Sequence, residues 1–558
     1  MSREIISRTS VEFLKKEAKQ WLKSLKAGDT DALARLKRAL PTYASNNAEQ
    51  PTLRTVQHAL AREHGVEGWL ALIGAIERRA RELREIADEI LRNAIFKGDP
   101  AVATRLYESH PEIATLDLFT AVATGDLAEV NRRLAVDPNS ASRAGGPLSW
   151  PPLLYLTYMR LPGSAARSVE IARALLDHGA NPNSNWNEDW ANAFKPLSGA
   201  IALGEAVQPP HERADELVDL LIERGADPCD SQAFYNTSVV GDDVHWLDVL
   251  WSHSERRGVT NSWREVSKQR IGGHRGMSPL DFMLSHAVSH NHMRRAEWLL
   301  MHGASANGVH VNSGRRLRDE ALVYGNDAIA ELLLRHGASD EPPQGIVAFQ
   351  VACRRLDRDE ARRLSQAHPE FLRDLELMLT ATQQSRLDII GLLLELGMDV
   401  DNEIAAGVRP LHLAVVAGAI DVVKLLVARG ADVDRAAESY GGPMELAARN
   451  GRLDIAEILA PLSRDVNGMV SLGMKDRLRE LFAAEPDLAN FVHYRTGQTP
   501  LFSLPNEEAS ALDMVKFLLK HEANARLVNK EGDTAANAAR KRGFNDVAQL
   551  LTDAMKRR

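Results

Sequence analysis

Cysteine is almost absent from this sequence of 558 residues, which contains only Cys229 and Cys353. Two cysteines that lie far apart in the chain, without companions at metal-ligand spacing, exclude a disulfide scaffold and a cysteine zinc finger. We therefore expect a protein of a reducing compartment.

Long hydrophobic runs are missing as well. No segment reaches the roughly 18 consecutive apolar residues that a membrane helix needs. Near the N-terminus, charges at Arg3, Glu4, Arg8, Glu12 and Lys15 interrupt any apolar signal core. These absences predict a cytoplasmic protein that neither crosses nor binds a membrane.

Recognisable catalytic motifs and a strong charge of one sign are also lacking. The chain has no glycine-rich phosphate loop, no dinucleotide fingerprint, no nucleophile elbow and no zinc-protease motif. His211-Glu212 comes closest to the last of these, but position 215 is Asp. The net charge is only −8, from 68 Lys and Arg against 76 Asp and Glu. We therefore expect a protein that is not an enzyme, holds no cofactor and does not bind nucleic acid.

What the sequence does contain is a repeated signal. A Leu-rich helix end is followed by Gly-Ala or a close variant and then by polar residues, often Asn or Asp. The signal recurs at 174–183, 220–228, 298–307, 332–340, 392–401 and 425–434. The shortest spacing between its glycines, from Gly397 to Gly430, indicates a unit of about 33 residues, a period typical of stacked helical repeats.

The segment 409–434 shows how one unit is built. Apolar residues within 411–417 would share one face of a first helix, Gly418 would turn the chain, and 422–427 would form the apolar part of a second helix. Gly430 stands where a helix C-terminus favours a residue that adopts a left-handed conformation. Two short helices cannot bury their apolar faces alone, so neighbouring units must stack.

The residues of this unit resemble the ankyrin repeat, whose pattern is T-P-L-H-x-A, a turn, and then L-L-x-x-G-A. The string RPLHLA at 409–414 matches except at its first position, and Met277–Asp281 and Gly497–Leu501 are weaker versions. Asp465–Asn467 follows Asp432–Asp434 after one period but lacks the Gly-Ala. The resemblance implies an all-α ankyrin-repeat solenoid of stacked helix-turn-helix units, in which fingers between repeats and the first helices line a concave groove that binds partners.

The resemblance divides the chain into two domains. Residues 1–83 do not fit the period and show helical patterns at roughly 11–26, 30–40 and 51–64. They resemble the short helical leader of bacterial ankyrin arrays and are expected to cap the first repeat, with a separate docking module as the alternative. Residues 84–558 are expected to form the array of about 14 units, several of them degenerate.

Two long inserts, near 184–212 and 254–276, are the predicted site of partner binding. All nine tryptophans lie at or before position 298, and three of them lie in or beside inserts. Aromatic side chains are enriched at interface hot spots. The predicted partner-binding residues are Trp186, Trp190, Trp263, Arg264, Arg270 and Arg275. The alternative is that each insert tryptophan packs on its own loop.

Histidines are concentrated in one stretch, because six of the 18 lie between 274 and 310. On a helix, His286 and His290 would share a face at a spacing that permits metal binding. Against a metal, the repeat pattern places His290–His292 in a turn and His302 at a helix end.

The leading hypothesis for the whole chain is a monomeric interaction scaffold or adaptor for an unknown protein partner. The alternatives are a metal-binding or catalytic site in the inserts, or a secreted effector or enzyme inhibitor that uses the same surface.

Overall fold

A computed structural model describes residues 10–41, 51–95, 98–186, 194–204, 208–239, 241–267, 270–403, 406–438, 440–493 and 495–556. Within these ranges the protein consists of α-helices, short 3₁₀ helices and isolated β-bridges, without extended strands. The predicted all-α class is confirmed. None of the helices in these ranges has the length and apolar character that crossing a membrane requires.

The N-terminal helices match the three helical patterns of the leader. They are α1 (Val11–Lys26), α2 (Thr30–Ala39) and α3 (Leu53–Glu63). Trp21 lies at the centre of their core, and the Arg35 guanidinium lies 3.9 Å above its ring. The next helix, α4 (Trp69–Asn93), runs continuously across position 83. The expected boundary between 83 and 84 therefore falls inside a helix and not in a linker.

Backbone contacts divide the chain into two compact units, residues 1–317 with 331–338 and residues 318–330 with 339–558. After α4, the first unit continues mainly as helix pairs, in which the first helices of successive pairs from α6 to α15 contact one another. Its elements are α5 (Pro100–Ser109), a 3₁₀ helix (Pro111–Thr115), α6 (Leu118–Thr124), α7 (Leu127–Val136), a 3₁₀ helix (Pro138–Ala141), α8 (Pro152–Tyr158), a 3₁₀ helix (Ser164–Arg167), α9 (Ser168–Asp177), α10 (Pro196–Ile201), α11 (Ala214–Glu223), α12 (Ser231–Ser238), α13 (His245–Arg257), α14 (Asn261–Arg264), α15 (Pro279–Ser289) and α16 (Met293–Met301).

The chain passes between the ranges of the two units three times. Two of these positions lie in α17 (Leu317–Tyr324) and α18 (Asp327–Arg335), and the third lies between residues 338 and 339. The second unit is again a row of helix pairs. Its elements are α19 (Gly345–Arg354), α20 (Arg358–Ala367), a 3₁₀ helix (Pro369–Arg373), α21 (Glu376–Gln383), α22 (Leu387–Glu395), α23 (Pro410–Ala417), α24 (Ile420–Ala428), α25 (Pro443–Arg449), α26 (Leu453–Leu459), α27 (Val466–Ser471), α28 (Lys475–Ala484), 3₁₀ helices (Pro486–Asn490, Pro500–Phe502), α29 (Glu508–Lys520), α30 (Ala535–Lys541) and α31 (Asn545–Lys556).

One hydrophobic core runs through all pairs of the second unit, from Phe349 to Leu551. Each pair contributes small and aliphatic side chains, such as Leu411, Ala414 and Val423 from α23 and α24. The apolar face of one pair is buried by the next, as the short length of the helices requires. The predicted unit at 409–434 is confirmed, because α23 and α24 occupy it.

The helix ends confirm the predicted role of glycine. In the repeated signal, the six glycines that follow a Leu-rich helix all adopt positive φ, between +87° and +105°. This left-handed conformation is strained for residues with a Cβ atom and lets the chain leave the helix sharply. Each second helix of these six pairs therefore ends at a defined residue, which keeps the repeats in register.

Two glycines with similar backbone angles should respond differently to alanine. At Gly430 (φ +88°) a Cβ atom would meet nothing within 4 Å, whereas at Gly125 (φ +80°) it would lie 2.5 Å from the backbone oxygen of Ser164. We expect Gly430→Ala to destabilise its pair by about 1–2 kcal/mol through backbone strain alone. Gly125→Ala adds a steric clash worth about 1–3 kcal/mol more.

Hydrogen exchange of peptides from α6 and α24 would measure both local stabilities in the intact chain. Equal losses of protection in the two variants would contradict the steric argument.

Candidate functional site

Trp263 is a core residue of the first unit. Its side chain is 0% exposed, and its ring centroid lies 4.5 Å from that of Phe234 and 5.3 Å from that of Trp251. The indole Nε1 donates a hydrogen bond to Ser254 Oγ at 2.9 Å. The expectation that Trp263 contacts a partner is corrected here, because α14 folds the ring onto α13 and leaves it no accessible surface.

The three predicted arginines are exposed. Arg264 donates from Nε to the carbonyl oxygen of His302 at 3.1 Å, and its guanidinium lies 5.2 Å from the ring centroid of Trp251. It therefore covers the edge of the tryptophan cluster and holds the end of α16. Arg270 and Arg275 lie farther along the same insert, on the surface, so partner contact by these residues stays a prediction.

Trp186 is partly buried at the base of its insert. A backbone bridge pairs it with Phe194, whose ring stacks on the indole at a centroid distance of 4.7 Å. Trp150 and Tyr158 complete the cluster at 4.9 and 6.2 Å. The contacts agree with the alternative in which the tryptophan packs on its own loop. Trp190 lies outside the described residues.

Below this insert lies a buried ion pair, in which Lys195 Nζ is 2.8 Å from Asp230 Oδ2. Burial raises the pKa of Asp230, and the Lys195 ammonium acts in the opposite direction. Nearby, the hydroxyls of Tyr158 and Ser198 are 3.0 Å apart. These contacts fix the start of α10. They do not place a nucleophilic side chain in hydrogen-bond contact with a general base.

Within the histidine-rich stretch, residues 290–292 form the turn between α15 and α16. His290 follows the end of α15 and donates from Nδ1 to the carbonyl oxygen of His286 at 2.9 Å. His302 makes the same kind of bond to Trp298 at 2.6 Å, which confirms its position at a helix end. Burial lowers the pKa of His286 to about 4. Across the part of the chain that the structure describes, no three or more His, Cys, Asp or Glu side chains are grouped as a metal site.

The second unit contains a groove that sequence reasoning missed. Between most pairs a long finger leads into the next first helix, as at 429–442 before α25 and 485–499 before the 3₁₀ helix at Pro500. Between α26 and α27 only residues 460–465 intervene. The space that a third finger would fill is therefore open, and the two flanking fingers form its walls.

This space, which we call the C-terminal groove, is a cavity of about 850 Å³. Glu445, Asp465 and Asn467, on or beside α25 and α27, line its floor. Asp434 from one finger and Phe491 from the other line its walls. The C-terminal groove could have been predicted from Asp465–Asn467, which keep the repeat period but are not preceded by Gly-Ala. That string begins α27 at once instead of forming a finger.

The groove has an acidic floor. Asp465 caps α27, because its Oδ1 accepts the backbone N–H of Gly468 at 3.0 Å. Burial raises the pKa of Asp465, and the neighbouring carboxylates of Glu445 and Asp434 raise it further, whereas His493 acts in the opposite direction. The Asp465 carboxylate is therefore repelled by two neighbouring carboxylates.

The cations around the groove bind other groups. Arg464 forms an ion pair with Glu485, and Arg449 donates to the carbonyl oxygen of Tyr440 at 3.2 Å. Arg495 donates to the carbonyl oxygen of Ala437 at 3.4 Å. Among the residues that the structure describes, no ion pair includes Asp434, Glu445 or Asp465. In the described part of the chain the three carboxylates therefore lack an ion-pair partner, and Asp434 instead accepts hydrogen bonds from Ser463 Oγ and from the Arg464 backbone N–H.

Replacing Trp263 should affect stability strongly. Trp263→Ala removes a fully buried ring, so we expect a loss of about 3–5 kcal/mol in the first unit. The matched surface change Arg275→Ala should stay within about 0.5 kcal/mol. Hydrogen exchange of peptides from α13 and α16 would compare the two variants, and unchanged protection in Trp263→Ala would contradict the core assignment.

Asp465 should make stability depend on pH. Its folded pKa is raised, so its contribution to stability is fully present below the unfolded pKa and is lost as the pH rises through the folded value. Asp465→Asn removes the buried charge but keeps an oxygen that can cap α27. We expect the variant to melt above the wild type at neutral pH, with a smaller difference at about pH 4.

Thermal unfolding at the two pH values would measure this difference, with the exposed Asp421→Asn as control. A lower melting temperature for Asp465→Asn at neutral pH would show that capping, and not the buried charge, dominates.

Comparison with known proteins supports the repeat assignment. No curated protein matches the chain. One of the matching solved structures is the Bd0816 predatory endopeptidase from Bdellovibrio bacteriovorus in complex with the immunity protein Bd3460. It matches at 23% identity and a TM-score of 0.26, over 32% of this chain and 96% of that chain, and it carries no functional argument.

The family description "Ankyrin repeats (3 copies)" matches residues 351–437 and 377–470. The segment from 351 to 470, which contains α25, α26 and the start of the C-terminal groove, therefore consists of ankyrin repeats.

Proposed function

We propose that the protein is a non-enzymatic interaction scaffold that holds a partner protein in the C-terminal groove. The observation that carries the proposal is the gap in the row of fingers, which leaves a cavity of about 850 Å³ on the surface with which ankyrin repeats bind partners. A rigid repeat surface is already ordered before a partner arrives, so binding needs little further ordering.

The wall formed by the finger at 485–499 offers apolar contact area. Phe491 is 41% exposed and its neighbour Val492 is 52% exposed. Leu488 and Leu504 line the same cavity. An aromatic ring at the rim of a preformed concave surface is typical of the residues that dominate binding energy. The groove therefore combines an apolar wall with a charged floor, as a specific partner site requires.

A second contact area is the surface of the inserts in the first unit, where Arg264, Arg270 and Arg275 are exposed. The partly accessible Trp186 cluster and Trp190 belong to the same proposal. In it, Trp186 and Phe194 shape the insert near 184–212 from below, and the arginines of the insert near 254–276 make contact with the partner. A secreted effector or an enzyme inhibitor would use the same surfaces, and it would differ only in the partner.

The protein is proposed to act as a cytoplasmic monomer. Both Cys229 and Cys353 are free thiols. Burial raises the pKa of Cys229 to about 11 and that of Cys353 to about 12, so neither is a reactive thiolate at neutral pH. Such thiols agree with a structural role in a reducing compartment.

Removing the aromatic wall should weaken partner binding without unfolding the protein. We expect Phe491→Ala to reduce recovery of the groove's partner by about tenfold, because truncating a hot-spot aromatic residue costs about 2 kcal/mol or more. The measurement is a quantitative pull-down with mass spectrometry, using the intact chain.

The matched control is Leu453→Ala, which removes an apolar side chain of similar exposure from α26 in the same unit. Partners recovered equally by the wild type and by both variants would count against the groove as the binding site.

A further inference from the structure

The floor of the C-terminal groove presents oxygen acceptors to which no described residue donates a hydrogen bond. Asp465 uses Oδ1 to cap α27, while its Oδ2 makes no hydrogen bond among the described residues. Asn467 Oδ1 is buried without a hydrogen-bond partner. The Glu445 carboxylate lies close enough to Asp465 to raise its pKa and takes part in no ion pair that the structure describes. The occupant that would satisfy these atoms is a donor.

Small residues keep this part of the floor accessible. Gly442 and Gly468 line the cavity beside the carboxylates. A Cβ atom at Gly442 would lie 3.9 Å from Asp465 Oδ2, and one at Gly468 would lie 3.1 Å from it. A Cβ atom at Gly468 would therefore crowd Asp465 Oδ2, whereas one at Gly442 would only touch it, and the two glycines leave room for a group from a partner.

The acidic floor of the C-terminal groove favours a positively charged hydrogen-bond donor. Among the described residues, no arginine or lysine forms an ion pair with Glu445 or Asp465. Arg464 pairs with Glu485, and Arg449 donates to the carbonyl oxygen of Tyr440. A bare metal ion does not fit, since the described His, Cys, Asp and Glu side chains form no metal-binding group. A guanidinium offers five N–H donors in a planar fork that matches carboxylate and amide oxygens.

The apolar wall of the C-terminal groove can contact the methylene stem of an arginine side chain. Phe491 lines the cavity and exposes its ring at the rim. Arginine and lysine bury their methylene stems against apolar surface while the charged end reaches polar groups. A guanidinium also gains energy on an aromatic face. An arginine side chain could therefore contact Phe491 along its stem and the floor at its tip.

We propose that the C-terminal groove binds an extended segment of a partner protein by accepting one of its basic side chains, arginine in preference to lysine, between Glu445 and Asp465. The proposal rests on the proposed function of the groove and adds the chemistry that its partner must have. The bound cation would offset the repulsion that Glu445 and Asp434 exert on the Asp465 carboxylate.

The test is a selection of displayed random peptides on the immobilised full-length protein. Selected peptides are expected to share one position fixed as Arg or Lys. A synthetic peptide from this set should lose affinity by at least about tenfold on Glu445→Gln with Asp465→Asn, because the bound cation loses both of its anions. Replacing the conserved arginine of the peptide by neutral citrulline should cause a similar loss.

Two controls separate the pocket from general charge and from folding. Asp421→Asn with Glu457→Gln makes the same change in net charge on exposed positions of α24 and α26, and peptide affinity should be unchanged. The amide at 465 keeps an acceptor for Gly468 N–H, so the floor variant should retain the circular dichroism and melting behaviour of a folded protein. Equal weakening by both double variants would overturn the proposal in favour of long-range attraction.

The remaining outcomes distinguish this proposal from the function on which it rests. Peptides whose binding is lost in Phe491→Ala, but which share no basic position, would overturn the basic-side-chain proposal and leave the groove as a partner site. Failure to select any peptide whose binding depends on Phe491 would overturn both.

Discussion

The structure depends on one constraint, namely that a pair of short helices cannot bury its own apolar face. Each pair in the second unit is covered by the next, so the core is a continuous strip through every repeat from Phe349 to Leu551. Left-handed glycines, such as Gly397 and Gly430, end the second helices of several pairs at defined residues, which helps to fix the spacing of those pairs. Stability in such an array comes from interfaces between neighbours and not from any single pair.

The same constraint explains how a groove can form without loss of the core. The helices provide the stacking surface, whereas the fingers lie outside it. A finger can therefore be shortened, as at 460–465, while α25 and α27 stay in contact. The connections can change in length, and with them the binding surface, while the stacked helices keep their positions.

Local features of the fold were predictable because they depend on neighbouring residues. Helical spacing located the leader helices, and the Gly-Ala signal located the left-handed helix ends. The environment of Trp263 depends on α14 folding back onto α13, which no periodic pattern shows. The C-terminal groove was missed for a related reason. It is created by a segment that is short, and Asp465–Asn467 kept the period in sequence while occupying a different element.

The continuity of α4 has a practical consequence. Its residues Leu72 and Ile76 belong to the core of the leader, whereas its later turns contact α5 and α6. A shortened protein that began at residue 84 would start in the middle of this helix and lose its first turns. Its remaining apolar residues Ala87, Ile90 and Leu91 would rest on a frayed end. The leader and the first repeats are therefore expected to fold together, and a boundary for separate expression belongs elsewhere in the chain.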